Sequence, residues 1–149
     1  MTIRSLIAFF LFVAAGVFSS AARADEINLF DSNGQPTAYI AIEDDERTLY
    51  LWEGKAVAYI DYDGAGLLDV FGFNGKHLGW FIDGVLRDHD GNAACATKQR
   101  VGRAVTEPPK PFKRQKPYLN FRDFAPQVPN FTGAWSGAPC RALLMKGAN

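Results

Sequence analysis

Histidine and cysteine are nearly absent from this chain of 149 residues, which holds two of each, and their scarcity removes several kinds of chemistry. Neither Cys95 nor Cys140 has a second cysteine or a histidine at ligand spacing, so a metal site finds no frame. No Gly-x-Ser-x-Gly elbow, phosphate loop, dinucleotide fingerprint or zincin helix motif occurs. Nothing sets a nucleophile beside a base, so no catalytic residue, metal or cofactor is expected, and a small hydrolase of unrecognised type is the least favoured function. Past Phe18 no stretch is apolar enough to cross a bilayer, and before Pro108 the only proline is Pro36.

What is present begins with an address label. Arg4 supplies a positive start, Leu6 to Phe18 is an apolar run of 13 residues, and Ala22-Arg23-Ala24 offers a small-x-small cleavage site before Asp25. The run is short of the roughly 20 apolar residues that a bilayer span needs, which favours a cleaved signal peptide over an uncleaved anchor. Residues 1–24 are therefore read as the signal, with Asp25 to Asn149 as a periplasmic or secreted protein, not integral to the membrane. In an oxidising compartment an even cysteine count favours a Cys95–Cys140 disulfide over two buried thiols. Closing that loop contributes on the order of 4 kcal/mol by chain-entropy reasoning.

The formal net charge of zero conceals a division. Residues 25–97 carry fourteen Asp or Glu against four Lys or Arg, and residues 98–149 carry ten basic against two acidic. The second part also holds seven of the eight prolines, so 25–97 and 98–149 read as two segments. The basic segment either wraps the acidic one or forms an arm for an external polyanion, with Lys98, Arg100, Arg103, Lys110, Lys113, Arg114 and Lys116 as contacts. An anionic envelope polymer, a lipid surface or an envelope protein is the expected kind of partner, and nucleic acid is not. Wrapping is favoured, because opposite charges on one short chain meet first. Phe112, Tyr118, Phe121, Phe124, Phe131 and Trp135 also argue against a purely solvated tail.

Within 25–97 one short motif recurs four times around a turn glycine, at Gly34, Gly54, Gly75 and Gly91. Five residues before each lies an aliphatic side chain (Leu29, Leu49, Val70, Leu86), followed in three copies by an aromatic (Phe30, Tyr50, Phe71). After the glycine, the fourth position is small (Ala38, Ala58, Gly79), the fifth aromatic (Tyr39, Tyr59, Trp80) and the sixth branched or aromatic (Ile40, Ile60, Phe81). A unit this short holds one β-hairpin. Asn-Gly and Asp-Gly point to type I′ turns, with Glu53-Gly54 a poorer match suited to a bulged turn. Strand alternation puts the fourth and sixth positions on one face and the fifth on the other. Lone hairpins are marginal in water, so the copies must bury these faces on one another, and the fold class is all-β. Arg87 and Cys95-Ala96-Thr97 break the signature in a degraded fourth copy, which the C-terminal segment is expected to cover, with Cys95 bonded to Cys140 as the clamp. Ala142 to Lys146 suits a short helix or a last strand equally.

The run from Asn28 to Cys95, with its Gly-x-x-x-Ala-Tyr-Ile units and the string from Phe71 to Phe81, resembles the bacterial 4-fold beta flower domain. The resemblance implies four hairpins around a pseudo-fourfold axis, followed by a Lys-, Pro- and aromatic-rich segment. Here that segment is Pro-rich, mostly irregular and expected to pack on the hairpins. The family's function is uncharacterised, so no binding or catalytic residues carry over.

The residual candidates are few. His77 and His89 occupy slots that other copies fill with Pro36, Ala56 and Ala93, or with Ser32, Trp52 and Phe73, which favours packed or solvated side chains over ligands. Asp61-Tyr62-Asp63-Gly64 and Asp88-His89-Asp90-Gly91 lack the later acidic ligand of a calcium loop and read as turns. Glu43-Asp44-Asp45-Glu46 reads as a solvated loop. Trp52, Phe73, Trp80 and Trp135 either pack a core or line a groove, the core being favoured. The function these features suggest is an exported, non-enzymatic domain that binds or scaffolds in the cell envelope, with tethering through the basic arm as the alternative.

Overall fold

The computed structural model describes residues 25–43, 45–62, 67–102 and 106–148, so the signal segment lies outside the described residues. Eight antiparallel strands follow in chain order: β1 (Asp25–Phe30), β2 (Pro36–Glu43), β3 (Glu46–Leu51), β4 (Ala56–Tyr62), β5 (Leu68–Gly72), β6 (His77–Ile82), β7 (Val85–Arg87) and β8 (Ala93–Thr97). Each pairs with the next, and β8 returns to β1 through Leu29–Thr97 and Phe30–Ala96, closing a barrel. Two short helices, α1 (Lys98–Val101) and α2 (Cys140–Met145), complete the regular structure of the described residues.

The sequence repeat is a structural repeat. Leu29 faces Ala38, Leu49 faces Ala58, Val70 faces Gly79 and Leu86 faces Cys95, and after each pair the register slips by one residue. All four turns close alike: the turn glycine donates its N–H to the carbonyl three residues earlier, at 2.8–3.0 Å. The type I′ expectation is corrected here. Outside glycine, only Asp83 among the described residues has positive φ, whereas Gly34, Gly54, Gly75 and Gly91 all do. The turns are thus type I followed by a glycine bulge, which asks positive φ of the glycine alone and accepts Glu53 as readily as Asn33. The two-residue type I′ link is instead Asp83-Gly84 (φ 50° and 76°), which joins the third hairpin to the fourth between Ile82 and Val85.

Large side chains facing small ones fill the barrel. Leu29, Leu49, Val70 and Leu86 are wholly buried against Ala38, Ala58, Gly79 and Cys95, with Ile40, Ile60 and Phe81 in the same cluster. Eight strands enclose only enough space for side chains, so alternating sizes let the interior close without a void. Burying each large aliphatic contributes roughly 1.5–3 kcal/mol. The ending that suited helix or strand is a helix: α2 sends Leu143 and Leu144 into this cluster, and the Cys95–Cys140 disulfide (Cα–Cα 5.1 Å) ties it to β8. Gly147 packs against Gly72, and Asn74 donates to the Lys146 carbonyl at 2.8 Å, which seats the chain end over the turn end of the barrel.

A Cβ built on Gly75, already at φ 87°, would overlap the Phe121 carbonyl oxygen. Gly75→Ala is therefore expected to lower stability by about 2–3 kcal/mol, read as the urea midpoint at unchanged m-value. An effect below about 0.5 kcal/mol would show that this close approach carries no weight.

Candidate functional site

The fifth-position aromatics point away from the barrel interior, yet Tyr39 and Trp80 are buried. Each meets two side chains of the next hairpin: the residue after the aliphatic position and the first residue of the turn. Tyr39 stacks on Tyr50 (5.4 Å between centroids) and meets Trp52 edge-on (6.2 Å). Tyr59 packs on Phe71 (6.1 Å) and Phe73 (5.8 Å). Trp80 pairs across the strands with Arg87 and meets His89 (5.7 Å). Three outer clefts result, one at each junction between successive hairpins.

The described C-terminal residues beyond 105 run over these clefts as a strap, extended and without regular structure up to Thr132. The strap advances in steps of nine residues. The backbone N–H groups of Arg114, Asp123 and Thr132 donate to the carbonyls of Gly54, Gly75 and Gly91 at 2.8, 2.8 and 3.0 Å. A side chain on any of those glycines would collide with the Phe112, Phe121 or Asn130 carbonyl, so the turn glycine also provides the room for docking.

Cations set against rings hold the strap. Lys113 lies 5.6 Å from the Tyr50 ring and Arg122, nine residues on, 5.1 Å from Phe71. At the next step the partners are exchanged: the barrel supplies Arg87 and the strap supplies Phe131, again at 5.1 Å. The fourth copy is therefore not degraded at Arg87. The same cation–ring contact is kept with its two halves swapped. Arg87 also donates to the Gly91 and Thr132 carbonyls at 2.9 and 2.6 Å.

The first cleft encloses an ammonium group. Lys110 Nζ sits 4.5 Å from the Tyr39 ring and 4.7 Å from Trp52, and donates to Glu26 (2.7 Å) and Asn28 (2.6 Å). Burial resists ionisation of Glu26, but Lys110 and Lys113 outweigh it and hold the carboxyl below its ordinary range. Burial, then the Glu26 charge, pushes the Tyr39 hydroxyl up to about 12. The third cleft holds a polar relay: His77 Nε2 lies 3.0 Å from Asp69 and Nδ1 lies 2.9 Å from His89 Nε2. The Asp69 carboxylate only accepts, so neutral His77 donates from Nε2 and accepts at Nδ1 from His89. Burial pulls the His77 pKa down, against the opposing pull of Asp69.

Several residues picked from the sequence have roles inside the molecule. Of the polyanion candidates, Lys110, Lys113 and Lys116 pair with Glu26, Glu43 and Glu46, Lys98 lies 3.6 Å from Glu107, and Arg100 donates to the Asp83 carbonyl. Arg114 docks through its backbone N–H, and Arg103 lies outside the described residues. Glu43 and Glu46 are strand ends paired to lysines, not members of a bare solvated loop. The Asp88 carboxylate accepts the N–H groups of Asp90 and Asn92 within its own turn. Phe73 and Trp80 are buried, whereas Trp135 is partly exposed. One expectation reverses. Phe112, Phe121 and Phe124 are each more than 90% exposed, so it is cations and backbone, with the Phe131 ring, that are seen to hold the strap. The nine-residue period is carried in the sequence by Pro108, Pro117 and Pro126, by Phe112 and Phe121, and by Lys113 and Arg122, and the repeat of the hairpins does not reveal it.

These features define an all-β protein: a small closed barrel of four hairpins, girdled by its own C-terminal strap. Residues 27–144 match the family described as 4-fold beta flower protein, and the chain belongs to that family. The match runs from β1 through the strap into α2. No curated protein and no solved structure matches the chain.

Two outcomes follow from the strap and the relay. Phe131→Arg alone places two cations together and should cost about 1 kcal/mol or more, while adding Arg87→Phe should recover part of the loss, measured as a double-mutant cycle in urea. Strict additivity would remove the swapped-pair reading. The folded-state pKa of His77 lies below its unfolded value near 6.5, so its contribution is complete above that pH and is lost as pH falls through it. The melting temperature should drop on acidification below about pH 6.5, and this drop should be smaller in His77→Gln.

Proposed function

We propose that the protein is an exported, non-catalytic scaffold of the cell envelope that presents an adhesive surface on its strap. The observation that carries this reading is the contrast between a barrel interior packed with side chains and three aromatic rings of the strap held almost wholly exposed. Exposed aromatics on an anchored backbone offer large contact area at little ordering cost, which suits binding at a surface. The Cys95–Cys140 disulfide agrees with an oxidising compartment, and among the described residues no helix is long and apolar enough to cross a membrane. A binding role also fits the relay, where both ring nitrogens of His77 are engaged and its neighbours are Asp69, His89, Phe71 and Trp80. The tether reading draws less support, because the strap lysines meet carboxylates of their own chain.

Cell fractionation with N-terminal sequencing tests the first half: the protein should be found outside the cytoplasm, beginning at Asp25. Replacing Phe112, Phe121 and Phe124 together by Ser should release it from the envelope fraction while leaving its melting temperature within about 2 °C. Cytoplasmic recovery of the intact chain, or undiminished envelope retention of the triple variant, would overturn the proposal.

A further inference from the structure

The three outer clefts are one arrangement in three states of filling. In the first, Glu26, Asn28, Tyr39 and Trp52 surround the ammonium of Lys110. In the third, Asp69, Trp80 and His89 stand where Asn28, Tyr39 and Trp52 stand in the first, and the His77 ring fills the space between them. Repeat register names the groups that would fill the second. The counterpart of His77 is Ala56, because Phe71 faces His77 as Tyr50 faces Ala56. The counterpart of Lys110, nine residues on, is Leu119, whose side chain is 62% exposed. Neither supplies a polar group to the cleft.

A cavity of about 400 Å³ is found there, and its lining includes Glu46, Thr48, Tyr59, Phe73 and Leu119. These five correspond one for one to Glu26, Asn28, Tyr39, Trp52 and Lys110: the registers Asn28–Tyr39 and Thr48–Tyr59 are equivalent, and Trp52 and Phe73 are both first residues of their turns. We propose that this second cleft binds a primary alkylammonium group from outside the chain, carried by a free diamine or by a lysine side chain. The ligand class is the one that the first cleft already holds.

The chemistry is supplied locally. The Tyr59 and Phe73 rings, 5.8 Å apart at 53°, offer ring faces to a cation much as Tyr39 and Trp52 do. Thr48, buried on β3, replaces the Asn28 amide oxygen with a hydroxyl able to accept. Lys116 also lines the cavity and is paired with Glu46 at 2.5 Å, but Glu26 shows that such a carboxylate serves two cations at once, Lys110 on one oxygen and Lys113 on the other. The remaining charges balance: Asp45 and Asp61 line the cavity with Arg47, and Arg122 is drawn to Asp61. The attraction is therefore short-range, from ring faces and a shared carboxylate, and is independent of where the protein resides.

The test is titration of the ¹⁵N-labelled protein, followed by NMR, with 1,5-diaminopentane, with Nα-acetyl-lysine N-methylamide and with the neutral 1,5-pentanediol. An ammonium probe should shift the amides of Thr48, Tyr59 and Phe73 and bind at least tenfold more tightly than the diol. Binding of the diamine alone assigns a free diamine, and binding of the blocked lysine assigns a lysyl side chain. Leu119→Lys should fill the cleft from within, weakening the probe at least tenfold and raising the melting temperature. Val128→Lys, which adds the same charge nine residues further along the strap and outside this cavity, should bind as the wild type does. Equal binding of the diol, no binding of either ammonium probe, or unchanged affinity in Leu119→Lys would overturn the assignment.

Discussion

The outside of this barrel depends on cations held against aromatic rings. Strand alternation sends Tyr39, Tyr59 and Trp80 outward as surely as it sends Ala38 and Ile40 inward, and an uncovered belt of such rings would be a liability for association. The chain covers them with its own C-terminal segment, using ammonium and guanidinium groups rather than an apolar layer. A cation over a ring satisfies the ring face and keeps its charge near a carboxylate, at the edge of a second buried cluster of Tyr39, Ala41, Tyr50, Ala56 and Phe73. That is how a segment with little regular structure stays docked: its backbone bonds to the turn glycines and its cations reach between the hairpins.

Fourfold repetition gives the molecule its economy and its variety. The interior is nearly uniform, one large residue facing one small residue in each hairpin, because a closed eight-stranded barrel has no spare volume. The outer clefts bear no such constraint and have diverged. One is filled by the strap lysine Lys110, one by the barrel histidine His77, and one has Ala56 and Leu119 where those fillers stand. Between the Lys113–Tyr50 and Arg87–Phe131 contacts the partners have even changed sides, since the interaction is indifferent to which element supplies the charge.

Much of the fold was legible in the residues. The glycine-centred repeat announced hairpins, the small-large alternation announced which face goes inward, and the acidic–basic division favoured a second segment lying on the first over a free arm. Less legible was anything needing two periods read together. The nine-residue step of the strap is plain in Pro108, Pro117 and Pro126, but it acquires meaning only beside repeats of 20, 21 and 16 residues, because the matching is made in space. The turn type is not legible for a local reason: Asn-Gly serves both a type I′ turn and a glycine bulge, and the hydrogen-bond pattern of the flanking strands decides between them.

The sequence by itself determined the class and the units, because both follow from short-range periodicity, and it favoured a disulfide over two thiols, a choice the structure made. Only the tertiary structure decided that four hairpins close into a barrel, that α2 seals the turn end, and which outer cleft is left with room. Those outcomes depend on groups from separate repeats and from the strap meeting across distances along the chain that no local pattern encodes. Arg87 shows the difference: alone it is a defect in a motif, and opposite Phe131 it is the motif's other half.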